Sequence, residues 1–526
     1  MAHGPRAGLV AAAVVIELGN LALWPTLYLA DSSVEPSPLG SMLRRRFGFV
    51  GPATDALESV VDWVFPGALW SWEQLVTFFL HTLMLCFVAY ALASWSTLRS
   101  REGNGAPTIR WVLIPLLVFQ MTLFLTPATL TTDIYNYAIY GEMPVRYAAN
   151  PFLRTPGEFP QSALYYLIPT YWHDAPSVYG PLWIDLSTLV AGAFQSMPLI
   201  DEILAYRFIA TAAHFANTVL IWRVAKHLRP ATAVSAAVAY GWNPSALLEF
   251  ALNGHNDVLM LTPLLGAALL GLSRPRLAAL LLASSIALKY TSLLVAPLLV
   301  LWTSAGAPLV AADHRRLLSA LRNGRAAMVA VACTTIPLGT LVLLYAPWFQ
   351  GIQTLGPVLY WMTGPRLQNY WPEPSLIAVT AWVSALPGTD YGSAWAAILP
   401  AFKNLARIAL VATILRELWR ARDLADVLAG SARIWIVFLL VVNTWIMPWY
   451  YLWPLAIVAA LGWDSLMVRV CAGLTLTAPL VMYGRQLNFA PVGEWAGATL
   501  VLPILMGGFA WLFAHRQAIR RVALRV

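Results

Sequence analysis

An all-helical bundle that crosses a membrane many times is the fold class this sequence predicts, and three observations carry it. Hydrophobic residues make up 59% of the 526 and charged residues only 11%, with a mean hydropathy of +0.66, a balance no water-soluble globule sustains. Apolar runs of about 15 to 25 residues recur from end to end, the length a helix needs to cross hydrocarbon. Cationic side chains cluster between those runs. In lipid every backbone N–H and C=O must be bonded internally, which leaves helices as the spanning element. We read 1–526 as one integral membrane domain of about 13 to 15 spans, with short interfacial helices in its outer loops.

The first run, Leu9 to Leu29, follows a single Arg and has neither a small-residue cleavage site nor a hydrophilic domain behind it, so it reads as a retained span. Spans are then expected near 74–96, 111–129, 180–197, 204–224, 231–247 and 256–273, and later near 326–347, 395–417, 433–447, 448–463, 467–483 and 496–514. Arg99, Arg101 and Arg110 flank one connection, Arg274 and Arg276 another, Arg315, Arg316, Arg322 and Arg325 a third, and Arg416, Arg420 and Arg422 a fourth, while Arg516, Arg520, Arg521 and Arg525 form the tail. The positive-inside rule makes these cytoplasmic. The formal charge of +8 therefore signals topology and anionic-lipid contact, and no nucleic-acid partner.

Between two of these basic connections, the run Leu277 to Trp302 must go out and come back. Its break falls at Ala287-Leu288-Lys289-Tyr290. Arg223, Lys226 and Arg229 fit the inner side only if one segment between 180 and 230 is a half-span or the spans there are miscounted, and Arg44, Arg45 and Arg46 in the first outer loop oppose the rule. The outer segment 130–179, rich in Tyr, Trp and Pro, reads as a folded cap, and 348–394 as a second outer loop. Cys86, Cys333 and Cys471 lie inside apolar runs and suggest no disulfide, metal or thiol chemistry.

Four outward-facing constellations remain once the cytoplasmic anchors are set aside. Asp133 heads the first, with Tyr135, Tyr137, Glu142 and Arg146, followed by Asn150-Pro151-Phe152. Ser177-Val178-Tyr179-Gly180-Pro181-Leu182-Trp183 is the second. Gly241-Trp242-Asn243-Pro244, Glu249 and Asn253-Gly254-His255-Asn256-Asp257 make the third. The fourth joins Lys289-Tyr290, Arg366, Tyr370 and the run Met447 to Pro454, including Trp449 and Tyr450. A carboxylate just beyond a lipid-length helix is costly unless it has a partner or a task. Carboxylates, a cation or two and many aromatic faces are what transfer of a sugar from a lipid phosphate needs. The base takes a proton from the acceptor hydroxyl, the cations neutralise the departing phosphate, and rings and amides hold the sugar.

Structural readings stand beside these. Asp133 could pair with Arg or cap a helix. Asn253 and Asp257 could cap helix ends, or with His255 bind a divalent metal, although no defined ligand spacing is present and none is required. Lys289 could snorkel to the interface or meet a phosphate. Glu142, Arg146 and Glu249 read equally as structural ion pairs, and the Trp and Tyr residues at 445–453 as an interfacial aromatic belt.

The ordered segments TDIYNYAIYGEM, NPF, SVYGPLW, GWNPSALLEFALNGHNDVLML, ALKYTSLLVAPLLVLW and PWYYLWPLAIVA resemble the bacterial polyprenol-phosphate-mannose-dependent α-mannosyltransferases of the mycobacterial and corynebacterial lipoglycan type, members of the GT-C superfamily. The resemblance spans about residues 110–465. It implies an inverting glycosyltransferase in the bacterial cytoplasmic membrane, with its active site on the outer face. Its donor would be a β-linked polyprenyl-phosphate sugar and its acceptor a glycan or glycolipid. It also implies that Asp133 is the base, that Asn256 and Asp257 face the cavity, and that Lys289, with Arg366, lies by the donor phosphate. The motif departs at Glu142, where the family pattern carries Arg. The expected function is hexose transfer, mannose first and glucose or a pentose as alternatives, with no nucleotide pocket. A transporter or flippase is the rival from another class, but the halves show no inverted repetition. A non-catalytic subunit of a larger complex is a third reading.

Overall fold

The computed structural model describes residues 5–34, 38–69, 71–99, 106–306, 317–356, 374–443 and 446–486. Among them there is no strand, and six helices are long and apolar enough to cross a membrane: Arg6–Leu29, Trp72–Leu98, Leu199–Leu228, Gly324–Trp348, Gly392–Arg420 and Leu424–Val442. The chain is an all-α polytopic membrane bundle. The expected span at 496–514, together with Arg366 and Tyr370, lies outside the described residues.

Several expected spans are shorter than a crossing. Pro181–Phe194 and Asp257–Leu270 have 14 residues each. At 1.5 Å per residue each reaches about 21 Å, against roughly 30 Å of hydrocarbon. The segment expected as a span at 448–463 is a 3₁₀ turn, Pro448–Tyr451, followed by the short helix Leu452–Val458 and a second 3₁₀ turn, and nearly all of it is buried in protein. Apolarity marks burial without distinguishing lipid from protein, so these partial-depth elements read as full spans.

Polar contacts identify the two ends of the bundle. Helix Leu199–Leu228 begins beside Arg46, which pairs with Asp201 at 2.7 Å, and ends beside Arg229, which faces Asp464 at 3.8 Å. It therefore crosses the whole bundle, and the short Pro181–Phe194 helix is the half-span that the arginine pattern requires. Two of the three arginines that oppose the positive-inside rule are neutralised at the Asp133 end, Arg46 by Asp201 and Arg44 by Asp55 at 2.9 Å.

The run Leu277 to Trp302 breaks where the basic loops on either side require. Helix Pro275–Leu288 stops, Lys289 is extended, a 3₁₀ turn spans Tyr290–Leu294, and helix Ala296–Ala305 returns. Helix Pro181–Phe194 starts against this break. The Gly180 N–H donates to the Leu288 carbonyl at 3.3 Å, and a Cβ on Gly180 would lie 2.0 Å from the Ala287 oxygen. Only glycine permits that approach.

The cap consists of helix Asp133–Tyr147, two 3₁₀ turns at Pro156–Glu158 and Tyr165–Leu167, and the short helix Thr170–His173. Its Asn-Pro-Phe segment fastens it to the bundle. Asn150 Nδ2 donates to the Trp348 carbonyl at 2.6 Å, Trp348 Nε1 donates to Asp185 at 2.9 Å, and the Phe152 ring packs on Tyr345 and Trp348.

Candidate active site

Three broken segments converge under the cap. The first is the start of helix Asp133–Tyr147, where Asp133 is the opening acidic residue. The second begins with a π-turn at Leu248–Leu252 that carries Glu249 inward. Gly254 follows at φ +70°, where a Cβ would lie 3.0 Å from Ile134, and turns the chain so that His255, Asn256 and Asp257 meet the first helix. The third is the Lys289 break. Helices Asp133–Tyr147, Pro181–Phe194 and Asp257–Leu270 all begin here, so three positive dipole ends point at one region, which favours negative charge.

The charged groups form two linked sets. Asp133 Oδ2 lies 3.6 Å from His255 Nδ1, and His255 Nε2 lies 3.3 Å from Glu249 Oε2. The imidazole is fully buried and stacked on the Trp449 ring at 3.7 Å and 20°. Thr131 and Tyr137 also approach its nitrogens, at 3.3 and 3.4 Å. Glu249 accepts from Asn253 Nδ2 at 2.8 Å, and Asn253 Oδ1 accepts from the Leu130 N–H at 2.9 Å. Asn253 thereby ties the π-turn to the segment that leads into Asp133.

In the second set Asp257 Oδ1 accepts from Lys289 Nζ and from Trp453 Nε1, each at 2.7 Å. The ammonium lies over the Tyr450 and Trp453 rings, at 4.8 and 5.2 Å to their centroids. Asp257 Oδ2 is buried with no hydrogen-bond partner. The sets meet at Tyr137, which donates to Asn256 Oδ1 at 3.4 Å. Tyr179 packs edge-on against the Tyr137 ring at 5.3 Å, and its carbonyl accepts from Tyr290.

Of the sequence-predicted residues, Asp133, Tyr137, Tyr179, Asn253, His255, Asn256, Asp257, Lys289, Trp449 and Tyr450 come together. Tyr135 is buried on the same helix. Glu142 does not join them. It accepts from Ser162 at 2.5 Å and pairs with Arg146 at 3.1 Å, which makes it an anchor for the cap. Trp449, Tyr450 and Trp453 are not an interfacial belt, being buried around the charges. Lys289 is not a free snorkelling cation, because Asp257 holds it.

Sequence reasoning missed Arg207. Fully buried, it donates to the carbonyls of Phe124, Thr126 and Ala128 and closes the end of helix Arg110–Leu125 just before Asp133. The signal was present as a lone cation amid the apolar helix Leu199–Leu228, the kind of residue that must have a partner.

Burial pushes the Asp133 carboxyl above its ordinary range, His255 and Lys289 pull it back, and Asp257 and Glu249 push it further up. A base must be ionised to act, so activity resting on Asp133 is lost as pH falls through that raised value. The acid limb of kcat/KM is expected above about pH 4, the ordinary carboxylate range. In His255→Phe one downward influence is gone, so the limb is expected at higher pH. An unmoved limb in that variant would separate His255 from Asp133.

The alpha-(1->6)-mannopyranosyltransferase N-terminal-domain family matches residues 45–306. Those residues hold both charged sets, while the aromatic wall of Trp449, Tyr450 and Trp453 lies beyond them. The fold and this match make the chain a membrane-embedded glycosyltransferase. More narrowly, it is a mannosyltransferase of the GT-C superfamily. It is similar to alpha-(1->6)-mannopyranosyltransferase A of Mycobacterium tuberculosis, with 25% identity over 452 residues covering 82% of this chain and 80% of the relative. No solved structure matches the chain.

Proposed function

We propose that the chain moves mannose from a polyprenyl-phosphate donor to a glycan or glycolipid acceptor on the outer face of the cytoplasmic membrane. The relative's name supports an α-(1→6) product. The observation that carries this reading is the placement of Asp133. Its side chain is 19% exposed at the head of a cap helix, beside a buried imidazole, with the paired Lys289 one shell away. An exposed edge lets an acceptor hydroxyl reach the carboxylate, and burial of the rest keeps the base from being solvated and weakened.

In this mechanism the acceptor oxygen attacks the anomeric carbon as Asp133 takes its proton, and the bond from that carbon to the phosphate oxygen breaks. His255 orients Asp133, and Glu249 fixes the ring from its other nitrogen, as a carboxylate behind an imidazole does. The departing phosphate meets the three helix N-termini and a remaining N–H of Lys289. Tyr179, Tyr450 and Asn256 provide faces and an amide for the sugar.

The test is donor choice. Purified protein in detergent, given a labelled mannoside acceptor, is expected to extend it from polyprenyl-phosphate mannose and to leave nucleotide-linked mannose unused. Extension from the nucleotide donor alone would overturn the proposal.

A further inference from the structure

A second charged cavity lies at the opposite end of the bundle from Asp133. It has a volume of about 300 Å³ and is walled by Arg416, Arg420, Arg422 and Arg433 with Glu417 and Asp426. Its location follows from the neighbouring chain. The Leu317 N–H donates to the Ala421 carbonyl at 2.9 Å, and Arg322 and Arg325 follow directly, at the end the charge pattern makes cytoplasmic.

The charges in this cavity do not cancel. Glu417 is buried and fully engaged, accepting from Arg433 Nε at 3.0 Å and Nη2 at 2.6 Å and from Arg416 Nη1. Asp426 is occupied by a backbone, accepting from the Arg422 N–H at 3.1 Å. Among the described residues neither the Arg420 nor the Arg422 guanidinium has a carboxylate within ion-pair distance. Four guanidiniums thus face two carboxylates across a space large enough for a small ligand. Arginine forks match phosphate oxygens two at a time, which makes a phosphate the group this surplus recognises.

The surface beside the cavity specifies the source of that phosphate. Leu405, Ile408, Val411, Leu415 and Trp419 are all exposed on helix Tyr391–Arg420. Spaced by three and four residues, they form one apolar stripe. The stripe ends at Trp419, between Arg416 and Arg420. An acyl chain lying on it would bring its own headgroup to the cavity mouth, and Trp is the residue type favoured at headgroup depth. We propose that this cavity binds the phosphodiester headgroup of an anionic phospholipid from the leaflet opposite the catalytic site.

Native mass spectrometry of the full chain, titrated with phosphatidylglycerol or phosphatidylcholine, tests this. Wild type is expected to retain phosphatidylglycerol in preference. At about 1 kcal/mol per surface Arg, Arg420→Ala/Arg422→Ala should lose about 30-fold in that retention. Its phosphatidylcholine binding and its mannosyl transfer should not change. Arg420→Gln alone, which disturbs no carboxylate, should lose about fivefold and serves if the double variant does not fold. Equal retention of the two lipids by wild type, or unchanged retention in the variants, overturns the proposal. So does displacement of the lipid by millimolar inorganic phosphate, which would mark a free-anion site.

Discussion

Exchanging Asp133 for Asn is expected to lower mannosyl transfer by on the order of 10²–10⁴-fold, the usual worth of a positioned general base. The amide matches the carboxylate in shape and can still face His255, 3.6 Å away, but it cannot take a proton. Stability should not fall. Burial raises the Asp133 carboxyl, so its charged form is a burden to the fold, and a neutral side chain relieves it. Thermal unfolding in detergent should give a midpoint equal to or above that of wild type, and donor binding should survive. A rate loss accompanied by a lower midpoint would assign Asp133 to the fold instead.

Lys289→Met is expected to have the largest effect on stability. Asp257 is buried, and Lys289 is one of its two hydrogen-bond donors at 2.7 Å. Removing the cation strands a carboxylate whose second oxygen already has no partner. Breaking a buried pair from one side costs roughly 3–5 kcal/mol. The double variant Lys289→Met/Asp257→Asn removes the stranded charge and keeps an acceptor for Trp453 Nε1, so most of that loss should return. With Lys289 in the proposed role of meeting the donor phosphate, transfer should remain low in both variants. Denaturation of the three proteins side by side separates these effects. A single variant as stable as wild type would show that the pair contributes nothing to the fold.

Much of this arrangement is legible in the sequence because charge is scarce in it. Lys289 stands out in an apolar run bounded by basic loops, and the need to go out and return locates the break within four residues. Asp133, His255 and Asp257 are visible for the same reason, since polar groups at membrane depth must be satisfied. What joins them is not visible. The Asp257–Trp453 hydrogen bond links residues 196 apart in the chain, and no local pattern encodes it. Glu142 shows the opposite limit. Its place on the Asp133 helix suggests a partnership, but about one and a half Å of rise per residue carries it well away, and Ser162 from the cap takes it up. Partial-depth helices such as Asp257–Leu270 escape recognition because burial in protein and exposure to lipid select the same side chains.

The central claim is a single displacement with Asp133 as base, and the anomeric configuration of the product tests it most directly. Purified enzyme, a β-linked polyprenyl-phosphate mannose labelled at its anomeric carbon and a mannoside acceptor are incubated together, and the product is read by NMR. One displacement inverts the anomeric carbon, so the account predicts an α-linked product from wild type and almost none from Asp133→Asn. A β-linked product, or mannose trapped covalently on Asp133, would contradict it.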